Sequence, residues 1–110
     1  MRQDLAKAVE FRTRAASQGH ALSQHRLGMM YWGGQGVPQS NEQCRELWRS
    51  AALAGLAAAQ FSLAMCFANG YVGLDRDDGE AERWYERAAR QGHAEAADAL
   101  TTWRAKGYWI

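Results

Sequence analysis

Ala51-Ala52-Leu53-Ala54-Gly55 is preceded by Ala15-Ala16-Ser17-Gln18-Gly19 and followed by Ala88-Ala89-Arg90-Gln91-Gly92. The three glycines recur at intervals of 36 and 37 residues, and Gly34, Gly70 and Gly107 keep the same beat. So do Leu27, Leu63 and Leu100. A period of this size marks a protein built from stacked repeats. Such repeats generally present extended binding surfaces rather than enclosed catalytic pockets.

Within one period the hydrophobic pattern predicts two helices. Leu27, Gly28 and Tyr31 recur as Leu63, Ala64 and Phe67, and their spacing of three and four places them on one helical stripe. Each stripe runs into a glycine, the residue that tolerates the left-handed conformation ending many helices. A loop follows, Gly36-Val37-Pro38 in one copy and Gly73-Leu74-Asp75 in the next, with one inserted residue lengthening the second spacing. Asp4, Ser40 and Asp77 then sit where a new helix begins, each able to accept a bond from a free amide. Gln43 and Glu80, three residues on, extend two of these into capping boxes.

The second helix of each pair carries Ala8, Phe11 and Ala15, then Cys44, Leu47 and Ala51, then Ala81, Trp84 and Ala88, with Arg12, Trp48 and Tyr85 one position on. Small alanines beside a large ring let helices approach closely while the ring fills the remaining space. The pattern predicts an all-α fold, an α/α superhelix of about six antiparallel helices over residues 4–18, 21–33, 40–54, 57–69, 77–91 and 94–106. The 110 residues form one domain: a half repeat (1–20), two full repeats (21–56 and 57–93) and a final half repeat (94–110).

Leu27-Gly28-Met29-Met30-Tyr31, Gly34, Gly36-Val37-Pro38, Leu47-Trp48-Arg49-Ser50-Ala51-Ala52 and Gly55 together resemble the Sel-one-like repeat, a relative of the tetratricopeptide repeat. The second copy matches through Leu63-Ala64, Phe67-Ala68-Asn69-Gly70, Ala81, Trp84-Tyr85, Ala88-Ala89 and Gln91-Gly92-His93-Ala94. Ala64 stands where the family favours glycine, and Gly73-Leu74 replaces the Gly-Val-Pro loop. In the third copy Thr101 and Arg104 replace a small and an aromatic residue, which points to a terminal, partly solvated helix. The resemblance implies a tetratricopeptide-like solenoid that scaffolds other proteins. Tyr108, Trp109 and Ile110, after Gly107, are candidates to cover the open end, as is a partner or a second copy.

Composition narrows the function. A formal charge of +1 supplies no broad basic field for nucleic acid, and no apolar run is long enough to span a membrane. The first residues show no signal peptide, so a cytoplasmic location is expected unless a leader was removed. Cys44 and Cys66 occupy non-equivalent repeat positions, which favours buried free thiols over a disulfide ladder.

In a two-helix solenoid the first helix of each pair normally lines the concave side. Its non-core face here carries Leu22, His25, Met29 and Trp32, then Ala58, Phe61, Met65 and Ala68, then Glu95, Asp98, Thr102 and Ala105. Leu22, His25, Met29, Trp32, Phe61, Met65, Asp98 and Thr102 are the candidate partner-binding residues. Their apolar members exceed what the core stripe requires, and contiguous apolar surface marks an interaction site or a second core. The opposite face carries Glu10 with Arg14, Glu42 with Arg45, Glu46 with Arg49 and Glu86 with Arg90, spaced as solvated helix pairs.

Chemistry finds little to work with. His20 and His93 follow Gln-Gly at repeat junctions and suit a structural role, and His25 has no Ser, Cys or Asp placed beside it by the repeat. Asp75-Arg76-Asp77-Asp78-Gly79-Glu80 misplaces its glycine for a calcium loop and is explained by helix capping. The glycines follow helices instead of joining a strand to a helix, so no phosphate loop is present. The chain is therefore expected to be non-enzymatic, with neither metal nor cofactor: an adaptor, inhibitor or immunity-type module, of bacterial kind, binding a peptide or partner domain. The alternative is a structural repeat protein that self-associates through its open helix ends.

Overall fold

The computed structural model describes residues 2–106, and within them the side chains of all but residues 2–5 and 17. Six helices follow one another: α1 (Arg2–Ser17), α2 (Ala21–Gly33), α3 (Asn41–Leu53), α4 (Ala57–Asn69), α5 (Asp78–Arg90) and α6 (Ala94–Lys106). Each packs chiefly on its neighbours in sequence, giving an elongated body of 48 × 25 × 22 Å. No strand occurs among the described residues. Among them, no helix is long and apolar enough to cross a membrane.

The thrice-written stretch is a helix stop. Gly19, Gly55 and Gly92 donate to Ala16, Ala52 and Ala89 at 2.9–3.0 Å, and His20, Leu56 and His93 donate to Ala15, Ala51 and Ala88 at 3.1–3.2 Å. The glycines take φ of +82°, +99° and +87°, and a Cβ at any of them would meet nothing within 4 Å. Conformation, not space, selects glycine at this turn.

The next helix starts from a side-chain acceptor. His20 Nδ1 accepts from Ser23 N at 3.2 Å, and His93 Nδ1 accepts from Ala96 N at 3.1 Å, which gives both histidines their structural role. Ser40 and Asp77 do the same for Gln43 N and Glu80 N. Asp4 lies inside α1, which is already under way from Arg2, and not at its start. The Glu80 carboxylate faces Arg83 at 3.4 Å.

The core runs along the stack. Ala51, Ala52, Ala59, Leu63, Ala64, Phe67, Ala81, Trp84, Tyr85, Leu100 and Trp103 form its largest cluster. Cys44, Trp48, Cys66 and Val72 form a second cluster, and Ala16, Leu27 and Met30 a third. Both cysteines are buried free thiols. Phe11 departs from the stripe, being 69% exposed. Its counterparts Leu47 and Trp84 lean on the repeat before them, whereas α1 has no preceding helix pair among the described residues.

The solvated pairs form only in part. Glu10–Arg14 and Glu86–Arg90 are made. Arg45 turns from Glu42 to donate Nη1 to the Val72 carbonyl at 2.6 Å, and no Glu46–Arg49 pair is found within 4 Å among the described residues. On α6, exposed Thr101 donates to Ala97 O, and Arg104 reaches Glu82 and Glu86 of α5, so this helix is partly solvated at those positions. Tyr108, Trp109 and Ile110 lie outside the described residues.

Candidate functional site

The loop after α4 builds one wall of a pocket. Gly70 ends the helix at φ +73°, and both its own amide and that of Tyr71 bond the Cys66 carbonyl. Val72, in the lengthened loop, takes φ +52°, the one positive value found outside glycine among the described residues. A β-branched residue is strained there, and burial of its side chain with Cys44, Trp48 and Cys66 plus the bond from Arg45 holds it in place. The outcome is positional: Tyr71 stands against Trp32, ring centroids 6.4 Å apart.

Trp48 of α3 forms the floor. Its Nε1 donates to the His25 carbonyl at 3.0 Å, and its ring lies 6.0 Å from Trp32 and 5.8 Å from the His25 ring. Met29 from α2 and Met65 from α4 complete a cavity of about 150 Å³ whose lining is almost wholly apolar. Trp32 and Met29 are each 48% exposed and Tyr71 is 42% exposed. These side chains are therefore not a sealed second core.

Four of the eight sequence candidates, His25, Met29, Trp32 and Met65, meet in this pocket. Phe61 lies half-buried nearby in the stack, its ring 5.9 Å from Tyr85 and 4.9 Å from His93. Asp98 and Thr102 line a separate cleft of about 430 Å³ with Arg76 and Lys106. Leu22 is exposed and lines neither. Trp48, Ser62, Cys66 and Tyr71 are the lining residues that sequence reasoning missed. Tyr71 alone left a signal, an aromatic residue where the first copy has Gln35.

His25 does have a serine partner. Ser62 Oγ lies 2.9 Å from His25 Nε2, brought there from the next repeat by the packing of α4 beside α2. Burial first, and the charge of Arg26 second, lower the His25 pKa below its ordinary 6.5. No carboxylate lines the pocket to orient the imidazole for proton abstraction from the serine. The pair fixes the ring as a wall. Burial pushes the Cys44 and Cys66 thiols up to about 12, so neither is a thiolate at neutral pH. Burial, and then the neighbouring Cys66 and Tyr71, also raise the Tyr85 hydroxyl. No cluster of three or more His, Cys, Asp or Glu able to hold a metal occurs among the described residues.

The Sel1 repeat family model matches residues 1–20, 21–56 and 57–93. The chain belongs to the Sel1 repeat family. Its fold is that of two solved Sel1-like proteins. A Sel1 repeat protein from Oxalobacter formigenes is 32% identical, with a TM-score of 0.83 over 89% of this chain and 73% of that one. The c5321 protein, a protective antigen of uropathogenic Escherichia coli, is 30% identical, with a TM-score of 0.86 over 94% of this chain and 22% of that one. Among curated proteins, chitin synthase regulatory factor 3 of Schizosaccharomyces pombe is 32% identical over 90% of this chain. This Sel1 repeat chain spans 11% of that relative's length.

Proposed function

We propose that this Sel1 repeat chain is a non-catalytic interaction module that holds a peptide or partner domain on the concave face made by α2, α4 and α6. One observation carries the reading: Met29, Trp32 and Tyr71 remain half-exposed around an apolar pocket although α2 and α4 already bury other stripes in the core. Apolar surface kept in contact with water at a concave site is stabilised by an occupant. Methionines beside rigid rings suit adaptable recognition of a side chain. The regulatory name of the fungal relative agrees with a module that acts by binding protein.

Photo-crosslinking tests this. A benzoylphenylalanine placed at Met29 captures the partner in extracts of the source cells, and the same group at Arg83 on the solvated face does not. Equal capture at both positions, or capture only at Arg83, rejects the concave site.

Self-association is a second reading, favoured by Phe11, which is 69% exposed where Leu47 and Trp84 are covered by the preceding repeat. Sedimentation across a dilution series separates the two. A concentration-independent monomer removes self-association, and an oligomer dispersed by Phe11→Ser supports it.

A further inference from the structure

The Trp32–Tyr71 pocket has a charged neighbour. Met29 forms part of its rim and also lines a second cleft, of about 260 Å³, between α1 and α2, together with Arg12, Arg26, Met30 and Gln35. That cleft holds two guanidinium groups and no carboxylate. The ion pairs among the described residues engage Arg14, Arg76, Arg83, Arg90 and Arg104, not Arg12 or Arg26. The polar contact made by Arg12 is Nη1 to the Met30 sulfur at 3.7 Å, a weak acceptor. Arg26, on α2, is exposed.

The remaining clefts differ. Around Asp98 and Thr102 the cations Arg76 and Lys106 share their cleft with a carboxylate, and Arg76 is itself 3.2 Å from Asp78. The α1–α2 cleft thus joins uncompensated positive charge to an apolar pocket through one shared side chain.

We propose that the segment recognised by this face pairs a bulky apolar side chain, seated between Trp32, Trp48 and Tyr71, with a nearby carboxylate that reaches Arg12 and Arg26. The inference rests on the interaction-module reading above and names the chemistry of its partner: an acidic, apolar peptide segment. A guanidinium binds a carboxylate through two parallel hydrogen bonds, so the pair sets orientation as well as charge. The apolar pocket supplies burial, and the arginines decide which apolar segments enter. A basic segment is repelled by the same two groups.

The experiment is selection of a random peptide library on phage against the full chain. Enriched peptides are then titrated by calorimetry at low and high salt against wild type, Arg26→Glu and Trp32→Ala. Arg26 is exposed, so its variant keeps the fold, which circular dichroism verifies. Enriched sequences are expected to carry Asp or Glu within a few residues of a large apolar residue. Their affinity is expected to fall about tenfold with Arg26→Glu, to weaken in high salt, and to return when the acidic residue becomes Lys against the Arg26→Glu chain. Peptides that need Trp32 but ignore Arg26 and salt overturn the carboxylate partner while leaving the concave site in place. Failure to enrich any sequence, or binding indifferent to Trp32 as well, overturns both.

Discussion

A methyl group on Gly28 would lie 2.5 Å from both Cδ1 and Nε1 of Trp48. The bare backbone of α2 is what lets the indole lie against it, donate to the His25 carbonyl and floor the pocket. One repeat on, the equivalent positions hold Ala64 and the smaller ring of Tyr85, both buried in one cluster. Gly28→Ala is therefore expected to destabilise the chain by about 1–3 kcal/mol, the usual cost of overpacking. Gly28→Ala combined with Trp48→Tyr should recover part of that loss, as read by urea denaturation. A double variant no more stable than Gly28→Ala alone contradicts the account.

Gln24 and Gln60 occupy equivalent positions with unequal success. Each donates Nε2 across the stack, to Ala16 O at 3.2 Å and Ala52 O at 3.1 Å. Gln91 then donates to Gln60 Oε1 at 2.9 Å, whereas the buried Gln24 Oε1 finds no protein partner. The residue equivalent to Gln91 one repeat earlier is Ala54. Ala54→Gln should supply the missing donor and raise stability by about 1 kcal/mol. Thermal melting checks it, and an unchanged or lower midpoint contradicts it.

His25 gives the fold a pH dependence with a definite sign. Burial first and Arg26 second hold its folded pKa below 6.5, so the unfolded chain takes up the proton more readily. The stabilising share is complete above the unfolded value of 6.5 and is lost as pH falls through the lower folded value. His25→Gln keeps a polar partner for Ser62 without titrating. The stability of wild type relative to this variant should be flat above ~pH 7 and decline as the solution is acidified. A difference that grows in favour of wild type on acidification contradicts this reading.

The periodic residues were legible because they answer local demands. A left-handed turn after Ala15-Ala16 selects Gly19, and a free amide selects Ser40 or Asp77, so helix positions followed from spacing. Phe11 was misplaced because its burial depends on what packs before α1, which no pattern inside α1 records. The eight candidate site residues lie on corresponding faces of α2, α4 and α6, and four of them converge. The other lining residues come from outside that pattern: Trp48 from the core stripe of α3, Ser62 and Cys66 from other positions of α4, and Tyr71 from a loop bent by Val72. Ser62 lies 37 positions from His25, and only the packing of two repeats brings them together.

Trp84 shows the balance between burial and charge in one side chain. It is buried between α3, α4 and α5, and the Arg87 guanidinium lies 4.6 Å from its ring centroid. Trp84→Ala should cost about 3–5 kcal/mol. Arg87→Ala should cost at most about 1 kcal/mol, the exposed cation–π range. Equal losses in chemical denaturation contradict the view that burial dominates there.

Binding at the concave pocket is measured by calorimetric titration of one purified partner domain against four chains: wild type, Trp32→Ala, Met65→Ala and Arg83→Ala. Trp32→Ala and Met65→Ala are predicted to weaken binding about tenfold or more, as loss of a buried anchor does, with Arg83→Ala matching wild type. Affinity unchanged in both pocket variants, with a loss confined to Arg83→Ala, would contradict the claim.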